Sequence, residues 1–211
     1  MKDPQKGGGP IQLQANILPL YNMKMPVIAG KMSRHMTQYM SEARRRIGSN
    51  NRGAKHQLLI DKTVTQDCNQ RKPCTSWINY KRAYITMPYK WILECLELYN
   101  IKRTLRTFIQ NSMGLWKTNL EANSKPIAQV NIKCSIYQGD ALTPLLFCIG
   151  LNPLSHIMTK SGHGYRFRSG ATITHLLCMN DIKLYARTEQ DLDSLILLTR
   201  LYKRTLGYHY N

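Results

Sequence analysis

Acidic residues are scarce in this chain. Its 211 residues include 12 Asp and Glu against 30 Lys and Arg, a formal charge of +18. An excess of that size repels itself unless a polyanion is near, and nucleic acid is the commonest such partner. The basic residues run along the whole sequence, and no long amphipathic helix carries a single Lys/Arg-rich face, which weighs against a membrane-surface protein. Six cysteines, at positions 68, 74, 95, 134, 148 and 178, include no Cys-x-x-Cys pair. Zinc sites and dense disulfide frameworks need closer spacing, and four of the six sit in apolar surroundings that suit buried free thiols. The six histidines form no metal-ligand pattern, and His156 and His163, flanking a loop, are expected at the surface. The opening Met1-Lys-Asp-Pro-Gln-Lys-Gly-Gly-Gly-Pro has no apolar core, so no signal peptide is expected. The longest apolar run, Leu145 to Leu151, is far too short to cross a bilayer. A soluble, intracellular protein without membrane contact is the expectation.

What is present can fill a core: 43% of the residues are hydrophobic. Residues 1–15 read as a flexible lead-in through Gly7-Gly8-Gly9-Pro10. Ile28, Met32, His35, Met36 and Tyr39 fall at helical spacing and predict a helix over 28–43, followed by Arg44-Arg45-Arg46. A second helix is predicted over 54–70 with Leu58, Leu59, Val64 and Cys68 facing in. A strand over 75–80 follows. Helices are then predicted from Thr86 to Asn100, with Trp91, Ile92, Cys95 and Leu98 inward, and over 103–116. Alternating residues over 117–134 predict a hairpin turning at Asn123-Ser124-Lys125-Pro126. Thr143-Pro144 opens a buried helix, the hydroxyl acting as cap. Thr188-Glu189-Gln190-Asp191 has the form of a capping box for a last helix with Leu192, Leu195, Ile196, Thr199 and Tyr202 on one face, closed by Gly207. Trp77, Trp91 and Trp116 are expected as packing residues. This order predicts an α+β fold, with helices on one face of a small antiparallel sheet.

The stretch Thr172 to Ala186 sets two β-prone runs around the dipeptide Asn180-Asp181, the form of a hairpin with a two-residue turn. Asn and Asp suit a tight turn for conformational reasons alone. A carboxylate raised among so many cations also suits a metal ion.

Tyr137-Gln138-Gly139-Asp140-Ala141-Leu142-Thr143-Pro144-Leu145-Leu146-Phe147 resembles the QGDxLSPLLF motif of reverse transcriptases from non-LTR (LINE-type) retrotransposons and group II introns. Three further stretches agree in register. Trp77-Ile78-Asn79-Tyr80-Lys81-Arg82-Ala83-Tyr84 resembles the first palm strand, usually D-x-x-K-A-F/Y-D. Cys178-Met179-Asn180-Asp181 with Ile182-Lys183-Leu184-Tyr185-Ala186 resembles the Y-x-D-D hairpin. Gly53-Ala54-Lys55-His56-Gln57-Leu58-Leu59 resembles the helix before the palm. The similarity runs from about Ile28 to Gly207.

The resemblance implies a right-hand polymerase fold. Its parts would be a flexible segment over 1–15, a fingers-like helical region over 16–72 and a palm-like region over 73–211 that includes the 117–134 hairpin, with no thumb. It implies an RNA-directed DNA polymerase, a nucleotidyltransferase using Mg2+ or Mn2+. Its partners would be an RNA template, a DNA primer or RNA–DNA hybrid, and nucleoside triphosphates, and its location nuclear by analogy. By position, Asn79 and Asn180 stand where the two principal metal-binding aspartates belong, and Asp181 takes the second place of the acidic pair. Tyr84 matches the aromatic residue beneath the incoming sugar, although a core aromatic would also suit it. Gln138 and Gly139 match the turn against nucleotide and template, although a plain turn before a helix would look the same.

The departures carry consequences. Each Asp→Asn change removes a negative charge from beside a divalent ion, a direct term of several kcal/mol even at an effective dielectric of ~20. Losing ~4 kcal/mol of transition-state stabilisation slows a reaction about a thousandfold. Ile85 replaces a frequent second aspartate, and Cys178 the usual tyrosine. The expectation is therefore a truncated, degenerate copy of an element's polymerase domain, inactive or very weak. A non-catalytic basic remnant that binds RNA or RNA–DNA hybrid, and a fragment with no selected activity, stand as alternatives.

Overall fold

The computed structural model describes residues 19–43, 54–67, 73–79, 86–122, 125–131 and 141–206. In chain order these form α1 (Pro19–Met36), α2 (Ala54–Asp67), β1 (Cys74–Asn79), α3 (Tyr89–Leu98), α4 (Arg103–Gly114), β2 (Lys117–Ala122) and β3 (Lys125–Asn131). There follow α5 (Thr143–Lys160), β4 (Tyr165–Arg166), β5 (Thr172–Ile173), β6 (His175–Cys178), β7 (Asp181–Ala186) and α6 (Glu189–Thr205).

Helix α5 is the axis of the core. Its run Leu145-Leu146-Phe147-Cys148-Ile149-Gly150-Leu151 is buried throughout, as is typical of a helix apolar on every side. Helices α3 and α6 pack against it, and α4 packs on α3. A Cβ on Gly150 would meet the Met87 sulfur at 2.9 Å, so the missing side chain lets the segment before α3 approach closely. The Gly150 carbonyl accepts from Trp91 Nε1 at 2.8 Å and from the Tyr202 hydroxyl, which ties α5 to α3 and α6 through one oxygen.

Three antiparallel strands make the main sheet, in the order β1-β7-β6. Alternation along β7 sends Ile182, Leu184 and Ala186, all fully buried, to the inner face beneath α5 and α6. The opposite face carries a second, smaller cluster in which Val64 of α2 meets Tyr165, Leu176 and Tyr185. Gln57 of α2 donates to the Leu177 carbonyl at 2.6 Å, so α2 is fastened to this outer face by polar as well as apolar contact. The β2–β3 ribbon and the β4–β5 pair are separate two-stranded sheets.

The α+β architecture with a small antiparallel sheet under helices is as expected, and several local expectations are corrected. Helix α1 begins at Pro19 and ends at Met36, not over 28–43. Leu58 and Leu59 are 69% and 62% exposed; the inner face of α2 is instead Gln57, Ile60, Asp61 and Val64, because polar anchors share it with the apolar residues. Leu98 is exposed, and Leu96 is buried in its place. Strand β3 begins at Lys125, so Lys125 and Pro126 of the expected four-residue loop belong to the strand. Leu142, not Thr143, is the N-cap of α5, which has no side-chain cap; Thr143 is drawn into the core. Thr188 does cap α6, accepting from the Asp191 N–H at 3.1 Å. His163 is half-buried and hydrogen-bonded to Asp191 at 2.8 Å, and half-buried His156 bonds the Tyr39 carbonyl. Cys95 and Cys148 are buried thiols, Cys95 pushed up to about 12 chiefly by burial; Cys74 and Cys178 are half-buried. Residues 1–18, the arginine triplet 44–46, Cys68, Cys134 and Gly207 lie outside the described residues.

Candidate active site

Directly opposed residues of an antiparallel sheet share a face. Asn79 of β1 opposes Asp181 of β7, which opposes Cys178 of β6. These three form one row across the outer face, the one on which α2 docks, at the end of the sheet where β6 turns into β7. The turn is Met179-Asn180, with Met179 at φ +57, and not the expected Asn180-Asp181. The reason is register. A slip of one residue would carry Ile182 and Leu184 out of the core. Asp181 therefore lies within the sheet as the first residue of β7, and Asn180 belongs to the turn.

Asn180 Nδ2 donates to Asn79 Oδ1 at 3.3 Å. The structure thus brings Asn79 to the adjacent pair Asn180 and Asp181, about a hundred residues further along the chain. Tyr84, Gln138 and Gly139 lie outside the described residues. As a cation site the row is poor. It holds one carboxylate, and the Asn79 oxygen that could face an ion already accepts from the neighbouring amide. Among the described residues no group of three His, Cys, Asp or Glu side chains could hold a metal. A pair of divalent ions needs several charged oxygen ligands, and this donor set does not fit one.

The next row of the same face is Trp77, Lys183 and Leu176. Lys183 Nζ lies 2.6 Å from Asp61 Oδ1 of α2, and 4.9 Å and 5.5 Å from the ring centres of Trp77 and Tyr185. The Tyr185 hydroxyl donates to the same Asp61 oxygen at 2.8 Å. Partial burial raises the Asp61 pKa, but the hydrogen bonds from Lys183 and Tyr185 and the Lys183 charge outweigh it and hold the carboxyl below its ordinary range. Burial, then the Asp61 bond and charge, pushes the Tyr185 hydroxyl far above its ordinary value. This Asp61–Lys183–Tyr185 group was not among the sequence expectations. Its signal was the period-two alternation that puts Asp181, Lys183 and Tyr185 on one face.

No family model matches the chain. The chain is 24% identical over 134 residues to a retrovirus-related Pol polyprotein from the type-1 retrotransposable element R2 of Popillia japonica, a match covering 64% of this chain and 22% of that protein. The structure of apo telomerase from Candida tropicalis, truncated from its C-terminal domain, superposes with a TM-score of 0.61 at 9% identity, over 86% of this chain and 38% of the telomerase. The fold is that of a reverse transcriptase domain. The chain spans only about a fifth of the R2 polyprotein's length, as the 22% coverage states. None of the described helices of this reverse transcriptase fold is long and apolar enough to cross a membrane.

Proposed function

We propose that this reverse-transcriptase-like domain binds RNA or RNA–DNA hybrid and does not carry out efficient metal-dependent nucleotide addition. The observation that carries the reading is the Asn180–Asn79 amide contact at 3.3 Å, in the row where an intact site would set carboxylates around cations. Two amides in place of two carboxylates leave Asp181 as the one anionic ligand of the row. The loss amounts to several kcal/mol of cation binding at an effective dielectric of ~20, which is a thousandfold or more in rate. The +18 charge is unaffected by that loss and supports retention of a polyanion. In this reading residues 16–72 serve as fingers and 73–211 as palm, with Tyr84, Gln138 and Gly139 toward the nucleotide position. Mg2+ or Mn2+ would belong to the ancestral site and is not held at this one.

The test is primer extension on an RNA template by the wild-type chain and by Asn79→Asp/Asn180→Asp, alongside hybrid binding across a salt series. The reading expects binding whose logarithm falls linearly with log[salt], and extension at most trace in the wild type. Robust Mg2+-dependent extension by the wild type would overturn the loss of catalysis, and a salt slope near zero would overturn the binding.

A further inference from the structure

The three tryptophans of the chain have different surroundings. Trp116 is 6% exposed and packs edge-on against Tyr89. Trp91 is half-buried, with its indole N–H bonded to the Gly150 carbonyl. Trp77 is 68% exposed on edge strand β1, on the sheet face that carries α2, against the expectation that it packs inside. It sits two residues from Asn79, so about 7 Å along the strand from the candidate site. Its indole is not loose. The Lys183 ammonium lies 4.9 Å from the ring centre, and Lys183 is in turn anchored by Asp61 at 2.6 Å. The lysine side chain is only 16% exposed while the indole is 68% exposed, so one partner of the contact is fixed and most of the ring still meets solvent. A strand-borne aromatic held by an anchored cation loses little freedom when a flat group stacks on it.

The neighbouring row strengthens the case. In an intact two-metal site, carboxylates beside a nucleic-acid strand would repel its phosphates until cations were bound. Here two of those positions are neutral amides in contact with each other, and Lys183 stands one row away. A strand can approach this face without a divalent ion.

We propose that Trp77, pinned by Lys183, is a stacking platform for an unpaired base of single-stranded nucleic acid, engaged without divalent cations. This rests on the nucleic-acid-binding reading above and names the subsite. Every base offers a π-face, so the platform is tolerant of sequence.

The test uses the full chain in EDTA with two probes: a mixed-sequence single-stranded oligonucleotide, and inorganic polyphosphate of similar charge, which has no bases. Trp77→Leu is expected to weaken oligonucleotide binding about 5- to 100-fold, to leave polyphosphate binding and the salt slope unchanged, and to keep cooperative melting. Trp77→Phe is expected to restore most of the affinity. The oligonucleotide, and not polyphosphate, should quench the indole fluorescence of a Trp91→Phe/Trp116→Phe background that folds. Unchanged oligonucleotide affinity in Trp77→Leu, equal weakening for both probes, or a requirement for Mg2+ would overturn the platform while leaving nucleic-acid binding intact. Failure of the wild type to bind the oligonucleotide or the hybrid would overturn both readings together.

Discussion

Asn180 and Asn79, 101 residues apart in sequence, join their side chains by an amide–amide hydrogen bond of 3.3 Å. The contact closes the mouth of the row formed with Asp181. Restoring both carboxylates would replace an attraction by repulsion. Asn79→Asp/Asn180→Asp is therefore expected to melt lower than the wild type in EDTA, by about 1 kcal/mol of stability at low salt. Mg2+ is expected to raise its melting temperature while leaving the wild type unmoved. Thermal melts of both proteins with and without Mg2+ check this. Identical Mg2+ responses would show that the amides are not what keeps the ion out.

Asp61 anchors Lys183 and Tyr185 at once, so Asp61→Asn is expected to cost about 1–3 kcal/mol, measured by urea unfolding. The same carboxyl sets an acid limit. Its folded pKa lies below its ordinary value of about 3.9, as does that of Asp191, where the His163 hydrogen bond outweighs burial. A depressed folded pKa means that the unfolded chain takes up protons first as pH falls. The stabilisation is complete above about pH 5 and is lost as pH drops through 3.9 toward the folded values. Asp61→Asn should flatten that part of the stability–pH curve. An unaltered acid limb would remove Asp61 from the account.

Asn152 is a fully buried amide on α5 with every contact used. Its oxygen accepts from the Ser41 N–H at 3.0 Å, and its nitrogen donates to the Tyr39 carbonyl at 2.9 Å and the Tyr99 hydroxyl at 3.0 Å. Asn152→Leu keeps the volume and removes the bonds. A loss of about 2–4 kcal/mol is expected from the desolvated groups left behind. Chemical denaturation reads it, and a change under 0.5 kcal/mol, roughly the surface-substitution range, would contradict the tie.

Two glycines invite a contrast. A Cβ on Gly164 would lie 2.7 Å from the Ile173 carbonyl oxygen and 2.6 Å from the Thr172 methyl, at the start of the β4–β5 pair. On Gly150 it would meet the end of the Met87 side chain, which can move. Gly164→Ala should therefore cost more, about 2 kcal/mol or above, against about 1 for Gly150→Ala. Comparable losses in the two melts would mean that the backbone at Ile173 yields as easily as a methionine.

Much of this was legible because it follows from period and spacing. The sequence shows the inner residues of α6, its cap at Thr188 and the pairing of two strands within Thr172 to Ala186. Other features depended on tertiary contact. Leu58 and Leu59 looked like a core face on hydrophobicity, yet α2 docks through Gln57 and Asp61, whose partners on β6 and β7 only the fold supplies. Trp77 looked like packing because bulky aromatics usually are, and nothing local marks β1 as an edge strand. The turn at Met179-Asn180 was missed because asparagine and aspartate favour turns more than methionine does. The register was decided instead by burial of Ile182 and Leu184.

Strand β1 finds its partner only after β7 exists. With 101 residues between the facing ends, a ribosome adding about 5–20 residues per second leaves β1 unpaired for roughly 5–20 s. In that interval the nascent chain carries a strand with Trp77, Ile78 and both edges unsatisfied, while helices α3, α4 and α5 form from local contacts. The two asparagines therefore meet late in folding, and the nascent chain's greatest exposure to aggregation falls before they do.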